Sequence, residues 1–401
     1  MLPIIWMLLT HKNLRKNERE MKILLFRTDP SIMNIKSYNS QEIGMAKSYI
    51  KLGHQCDIVY YAGNQPSREE IISVNDKASI TIYWRKGFSI FNNGIFPGIN
   101  KIIEKYDVIQ VSEYYFFSSW YVCEKYRKEK IIYIYQGVYD SDNSIRYKIR
   151  CKIMDPLLLN KDILTSISVF TKSKMAYDSM ARRGFRKIET VGVGLDIERL
   201  HLQCDLPKWA KDLQSSKGKS KYLLYVGVIE DRRNILFLLN VVRTLANKYS
   251  ESYFKLIIVG KGEKKYIEEC RKYIEDNNIQ NYIIYFESIS QSEISNIYKI
   301  SDLFVFPSKY EIFGMVLMEA MNFGLPVISS YNGGASTVIT NGSNGIIIDN
   351  FNVDEWASKI SEMLESNLLQ KTIGRNAKQT ALLDFGWENI TRRILDTLDI
   401  K

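Results

Sequence analysis

Histidine and cysteine are scarce in this chain, and neither is clustered. The three histidines, His11, His54 and His201, lie outside metal-ligand spacing of one another, which argues against a two-histidine metal centre or a Ser-His-Asp triad. The five cysteines (Cys56, Cys123, Cys151, Cys204, Cys270) are odd in number, far apart and without a CxxC pair. That pattern favours a reducing compartment over a disulfide framework or a zinc site. Residues 1–20 hold too few apolar side chains to span a bilayer, and no small-residue cleavage site follows them. Met21 opens MKILLF, a natural first strand, so residues 1–20 are expected to be an upstream extension or a weak interfacial anchor. A complete dinucleotide fingerprint is also missing: Gly192-Val193-Gly194 lacks the third glycine and the helix after it. No basic stripe interleaved with aromatics occurs, so nucleic acid is not an expected partner.

The chain has 401 residues, 45% apolar and 25% charged, a globular composition with room for two or three domains. Its net charge of +10 is lopsided. Residues 1–200 carry 31 Lys and Arg against 21 Asp and Glu, while residues 201–401 carry 24 of each. The clusters 125–130, 146–152 and 182–187 suit either an anionic membrane surface or plain solvated helix faces. Tyr114, Tyr115, Phe116, Phe117, Trp120 and Tyr121 read as core or as an acceptor surface. Asp140-Ser141-Asp142 matches a D-x-D metal triplet but reads better as a loop with helix-capping carboxylates. No metal and no cofactor is expected.

The most informative stretch is 308–345. Leu303–Phe306 reads as a buried parallel strand ended by Pro307. A loop then carries Glu311, and Gly314 opens an apolar helix through Met321 that closes at 324–326. The first amides of such a helix lack intrahelical partners and face the positive end of its dipole. Gly314, Met315 and Val316 are therefore a candidate anion site. Glu319 lies five residues in, roughly 7.5 Å along the axis, about the reach from a diphosphate to its ribose. An acceptor-only carboxylate suits a pair of ribose hydroxyls.

Glu311 and Glu319, eight apart in EIFGMVLME, with FVFPS before and AMNFGLPVIS and a Gly-Gly pair after, resemble the E-x7-E signature of retaining glycosyltransferases of family 4. The resemblance extends over most of residues 21–401. It implies an α/β protein of the GT-B type, in which two Rossmann-like doubly wound domains face each other across a cleft. The expected divisions are an N-terminal acceptor domain, 21–205; a C-terminal donor domain, 206–384, entered through a linker at 206–220; and a last helix, 385–401, returning to the first domain. By resemblance, Glu311 is the catalytic carboxylate and Glu319 the ribose ligand. Gly227, Arg233, Lys261, Phe313, Gly314, Met315 and Val316 surround the donor, and Ile289 meets the nucleobase. The family's usual arginine beside Gly227 is Val228 here, which leaves Arg233 to hold the diphosphate. In the first half, Gln136 stands where the family often has a histidine, and Lys36–Ser40 lacks the usual Gly-Gly pair.

The activity so implied is transfer of a hexose, with retention and without metal, from a nucleoside-diphosphate sugar to an acceptor hydroxyl on a glycan or lipid carrier. Cell-surface polysaccharide or glycolipid assembly is the associated role, in the cytoplasm or at the inner face of the membrane. A nucleotide-sugar epimerase, a non-catalytic partner subunit and, more remotely, a nicotinamide oxidoreductase remain alternatives.

Overall fold

Short apolar runs that are buried on both faces become parallel strands, and this chain supplies them in two sets. The computed structural model describes residues 19–35, 40–141, 145–200 and 206–400. The first set contains β1 (Lys22–Phe26), β2 (Gln55–Tyr61), β3 (Arg68–Asn75), β4 (Ala78–Arg85), β5 (Phe88–Ile90), β6 (Asn93–Ile95), β7 (Val108–Ser112), β8 (Ile131–Gln136), β9 (Ser168–Thr171) and β10 (Lys187–Thr190). Eight of these form one sheet in the order β10-β9-β8-β7-β1-β2-β4-β3, and β5 and β6 form a separate hairpin. The second set is β11 (Lys221–Val226), β12 (Phe254–Val259), β13 (Ile283–Phe286), β14 (Leu303–Phe306), β15 (Val327–Ser330) and β16 (Ile346–Ile348), in the order β13-β12-β11-β14-β15-β16. Every pairing within this second sheet is parallel.

The second sheet has the doubly wound order 3-2-1-4-5-6, so its strand order reverses between β11 and β14. The first sheet reverses in the same way between β1 and β7. Its one antiparallel member, β3, pairs with β4 at the edge. Its burial alternates residue by residue, the pattern of a strand with one face in water. Sequence inspection did not identify β3, because REEIISVN lacks the continuous apolar run of its neighbours.

Residues 206–220 differ from the expected linker. Lys208–Lys217 is a helix after Pro207, with Ala210 and Leu213 buried, Trp209 against Phe286, and Lys217 paired with Asp302 at 2.7 Å. It packs as part of the second half. Lys36–Asn39 of the loop after β1 and Asp142 of the D-x-D triplet lie outside the described residues. Asp140 holds Arg183 (Oδ1 to Nη2, 2.9 Å) and accepts from the Ser179 hydroxyl at 3.0 Å. Tyr114, Tyr115 and Phe116 are buried, so that part of the aromatic stripe is core.

The chain ends by crossing back. The helix Asn367–Asp384 packs on Met315–Asn322, where Gly374 lets two backbones meet: a Cβ there would lie 2.1 Å from the Gly324 carbonyl oxygen. After a bend at Gly386, the helix Trp387–Thr397 buries Trp387, Ile390, Thr391, Ile394 and Leu395, spaced to form one face. That face lies on the helix Gln41–Lys51 of the first half, and Thr391 and Ser48 share a hydrogen bond of 2.6 Å. Trp387 is clamped between two glycines. A Cβ at Gly44 would sit 2.2 Å from its Nε1, and one at Gly194 would sit 2.1 Å from its Cδ2. Gly192 and Gly194, which suggested a partial dinucleotide motif, are instead the places where the C-terminal segment docks. Among the described residues, no helix is long and apolar enough to cross a membrane.

Two outcomes are expected. Trp387→Ala, which empties this clamp, lowers stability by about 3–5 kcal/mol, measurable as a reduced urea midpoint. Burial raises the Asp140 carboxyl, but hydrogen bonds and charge from Arg183 outweigh that and bring it down to about 2. Its stabilising contribution is therefore complete above the ordinary carboxyl range and lost as pH falls from about 4 towards 2. After allowance for solvent screening it is worth about 1–2 kcal/mol. Because pH 3 still lies above the folded pKa, unfolding free energies from urea titrations at pH 5 and pH 3 should differ by roughly half of that more in the wild type than in Asp140→Asn.

Candidate active site

Doubly wound sheets bind ligands beyond the carboxyl ends of their strands, where the strand order reverses. In the second sheet that place lies between Gly227, which follows β11, and residues 307–314, which follow β14. Gly227 donates its N–H to the Val259 carbonyl at 3.0 Å. A Cβ at the neighbouring Gly260 would come within 1.8 Å of the Gly227 oxygen, so only glycine permits the two strand ends to converge.

Gly314, in the left-handed conformation at φ 74°, precedes the helix Met315–Asn322. Met315 and Val316 form its first, half-buried turn, with Leu317 N–H donating to Gly314 O at 2.9 Å. Deeper in this helix Glu319 is buried, and its carboxylate accepts the Tyr298 hydroxyl at 2.7 Å.

Glu311 is held at its carbonyl and at both carboxylate oxygens. Its Oε1 accepts its neighbour Ile312 N–H at 3.1 Å, and its Oε2 meets the Arg233 guanidinium in a close ion pair. Its carbonyl accepts from Gly333 N–H at 3.0 Å and from the Tyr139 hydroxyl at 2.9 Å. The 3-10 turn Asp231–Arg233 is tied to the same loop, since Arg232 donates to the Tyr310 carbonyl at 3.1 Å and accepts from Lys309 N–H at 2.8 Å. The Gly-Gly pair 333–334 makes the loop possible. A Cβ at Gly334 would lie 1.6 Å from the Phe313 oxygen, and one at Gly333 would lie 2.5 Å from the Glu311 oxygen. Arg233 lies over the Phe306 ring at 5.5 Å, its Nε has no hydrogen-bond partner, and burial pulls its pKa below the ordinary value.

The structure thus brings Glu311, Arg233, Gly314, Met315, Val316, Glu319 and Gly227 around one switch point. Lys261 follows Gly260 and so adjoins the same strand end, its carbonyl accepting Ile229 N–H at 2.8 Å. Lys261 is 68% exposed and 3.9 Å from Glu287. Ile289 is half-buried beyond β13, packed against the core. The Phe313 ring is buried against Phe385, 5.9 Å between centroids, so its side chain packs the domain junction. Gln136 is also committed to packing. Its Oε1 accepts Tyr114 N–H at 3.0 Å, and its Nε2 donates to Glu113 at 2.6 Å and to the Val138 carbonyl at 2.8 Å. With donors and acceptor so engaged, it positions Glu113.

Glu113, Lys172 and Tyr139 were missed in the sequence. Glu113 follows β7 at the switch point of the first sheet, the one signal that could have found it. Its φ of 54° is unusual for a side chain with a Cβ. Its carboxylate accepts Gly137 N–H at 2.9 Å and Val138 N–H at 3.2 Å. Burial raises its pKa, and the charge of Lys172 opposes that rise. Burial pulls the Lys172 amine down, against the pull of Glu113, and the amine lies 4.7 Å from the Tyr135 ring centroid. Gly137 marks where the halves converge: a Cβ there would lie 2.8 Å from Lys172 Cδ, 3.2 Å from Glu113 Oε1 and 3.0 Å from Ile312 Cγ2. The Tyr139 hydroxyl also spans the cleft, accepting Gly333 N–H at 3.2 Å. Among the described residues, no group of three or more His, Cys, Asp or Glu could hold a metal ion.

Residues 208–380 match the family described as glycosyl transferases group 1. Spore coat protein SA of Bacillus subtilis is 25% identical over 238 residues, covering 53% of this chain and 59% of that protein. A D-inositol 3-phosphate glycosyltransferase of Paenarthrobacter aurescens is 24% identical over 216 residues, 51% of this chain and 52% of that one. The chain spans about half the length of the curated relatives it matches. Solved structures agree over nearly the whole chain. Anabaena HepE in complex with UDP superposes with a TM-score of 0.71 at 17% identity, over 94% of this chain and all of that one. Sucrose-phosphate synthase from Thermosynechococcus elongatus superposes at 0.67 and 17%, over 94% and 98%. The chain has the GT-B fold, and its residues 208–380 are those that match the group 1 glycosyl transferases.

Proposed function

We propose that this protein is a retaining glycosyltransferase that moves a hexose from a nucleoside-diphosphate sugar to an acceptor hydroxyl. Its role would be cell-surface polysaccharide or glycolipid assembly on the cytoplasmic side of the membrane. The observation that carries this reading is the Arg233–Glu311 ion pair at the mouth of the Gly314-headed helix, on the switch point of the second sheet. The bond from the anomeric carbon to the diphosphate breaks with its electrons leaving on oxygen, and a bond to the acceptor oxygen forms as that hydroxyl gives its proton to the departing phosphate oxygen. The leaving charge needs fixed positive partners. The amides of Gly314, Met315 and Val316 supply the helix end, and Arg233 supplies a guanidinium whose Nε has no hydrogen-bond partner and lies 3.8 Å from Glu230 Oε1. Glu311 faces the sugar and the positive charge that develops at the anomeric carbon. Glu319 holds the ribose. Support for retention is the E-x7-E resemblance. UDP is the first nucleotide to try, because HepE, of the same fold, was solved with it. Glu113 and Lys172, across the cleft beside Ile312, form the acceptor side.

Calorimetry with UDP, GDP, ADP, CDP and NAD should find one nucleoside diphosphate that binds and no binding of NAD. Glu319→Ala should weaken that binding at least tenfold. Val228, exposed where the resemblance expects arginine, favours the partner-subunit alternative, and failure of every nucleotide to bind would support it. In steady-state assays with the matching sugar donor, Glu311→Ala should lower kcat by about 10²–10³ and change donor affinity only slightly. Arg233→Ala should weaken nucleotide affinity by about 1.5–3 kcal/mol, the range for hydrogen bonds to charged groups. Wild-type turnover in Glu311→Ala would remove its catalytic role.

A further inference from the structure

The helix Ile145–Leu158 carries a large apolar stripe that nothing among the described residues buries. Ile145, Ile149, Ile153 and Leu157 are 64%, 56%, 62% and 69% exposed. Four-residue spacing puts them on one side of the helix, along roughly 18 Å of its axis. Lys148 and Lys152, both exposed, fall on the same side, three and seven residues after Ile145. The opposite side is anchored. Cys151 and Leu158 are buried, and Asp155 accepts the Tyr114 hydroxyl at 2.8 Å. Arg150 lies over the Tyr115 and Phe116 rings and donates to Asn93 Oδ1 at 2.9 Å.

That last bond joins the helix to a second exposed apolar element. Asn93 begins the return strand of the β5–β6 hairpin, whose tip is Phe91, 91% exposed, flanked by the exposed Phe88 and Ile90. Lys86, exposed, precedes the hairpin. Two elements far apart in sequence are therefore locked side by side, each presenting apolar side chains and lysines to solvent.

We propose that this surface, the outer face of Ile145–Leu158 with the tip of the Phe88–Ile95 hairpin, docks the protein onto an anionic lipid bilayer. Its chemistry selects that occupant. The cores of protein–protein interfaces are depleted in lysine, whereas here lysines are interleaved with the apolar stripe. At a bilayer surface the isoleucines enter the acyl boundary while the lysine stems reach up to anionic headgroups. The excess of positive charge in residues 1–200 acts in the same direction.

The surface also lies near the cleft. A Cβ at Gly94 of the hairpin would be 3.0 Å from the Thr28 carbonyl, just past β1 at the switch point of the first sheet. Tyr114, bonded to Asp155 of the helix, directly follows Glu113. A docked bilayer would deliver a lipid-borne acceptor to the Glu113–Lys172 side. That use rests on the function proposed above; the docking itself does not.

The test is flotation of the full chain with vesicles of phosphatidylcholine alone and of phosphatidylcholine with 30% phosphatidylglycerol, an arbitrary working composition of roughly one anionic lipid in three. The protein should float with the anionic vesicles and be released by high salt. Ile149→Asn/Ile153→Asn and, separately, Lys148→Glu/Lys152→Glu should each lower the bound fraction at least tenfold. All four positions are exposed, so the fold should survive, and nucleotide binding by calorimetry reports both the fold and the donor site independently. Wild-type protein that stays in solution with anionic vesicles would overturn the proposal. So would variants that float as well as wild type. Size exclusion showing a wild-type dimer that the isoleucine variant converts to monomer, with neither binding vesicles, would assign the face to a second copy of this chain instead.

Discussion

The carbonyl oxygen of Glu311 is bonded from two domains at once, by Gly333 N–H from its own and by the Tyr139 hydroxyl from across the cleft. The site geometry depends on that double attachment. The loop after β14 would otherwise be a free connection between a strand and a helix. Tied at its carbonyl, and packed against two glycines that allow no side chain between, it presents the Glu311 carboxylate at a single place. Arg233 completes the arrangement from the turn after β11, so the charges at the helix mouth are set by elements from both sides of the switch point. Because Tyr139 belongs to the first half, a change in the angle between the halves would strain the bond to this carbonyl. Donor-side geometry and domain position are thus one variable.

Arg233 with Glu311 in the second half and Lys172 with Glu113 in the first set a carboxylate beside a cation, and the two pairs differ. Arg233 and Glu311 meet directly as an ion pair. Glu113 and Lys172 influence each other through charge while burial opposes ionisation of each. The Glu113 carboxylate is fixed by backbone amides and Gln136, whereas the Lys172 amine lies over the Tyr135 ring. The first pair is suited to holding a fixed geometry, and the second to responding to a polar group placed beside it.

Much of the second half was legible from sequence because its signals are local. A strand, a glycine and an apolar helix follow one another within twenty residues, and helix geometry then places Glu319 relative to Gly314 without further information. Arg233 was legible only through the resemblance, which puts a cation six residues after the β11 glycine. Side chains whose role depends on a distant partner were not legible. Gln136 looked like a ligand because it ends a strand at the cleft, yet Tyr114 and Glu113 occupy its polar atoms. Phe313 sits inside the motif but packs on Phe385, more than seventy residues later. The helix at 208–217 was taken for a linker because its polar, glycine-flanked sequence conceals the one face, Ala210 and Leu213, that it buries.

By itself the sequence determined the alternation of strands and helices and the Glu311–Glu319 helix mouth, since apolar periodicity and glycine placement act over a few residues; the two doubly wound halves came from the resemblance that those motifs carry. Only the tertiary structure decided that Glu311 bonds Arg233 and Tyr139, that Glu113 and Lys172 face them, and that the exposed isoleucines of one helix lie beside Phe91 of a hairpin. Those pairings join residues some fifty to more than 170 positions apart. Local propensity carries no record of them, because they arise only when burial of both sheets brings their carboxyl ends together.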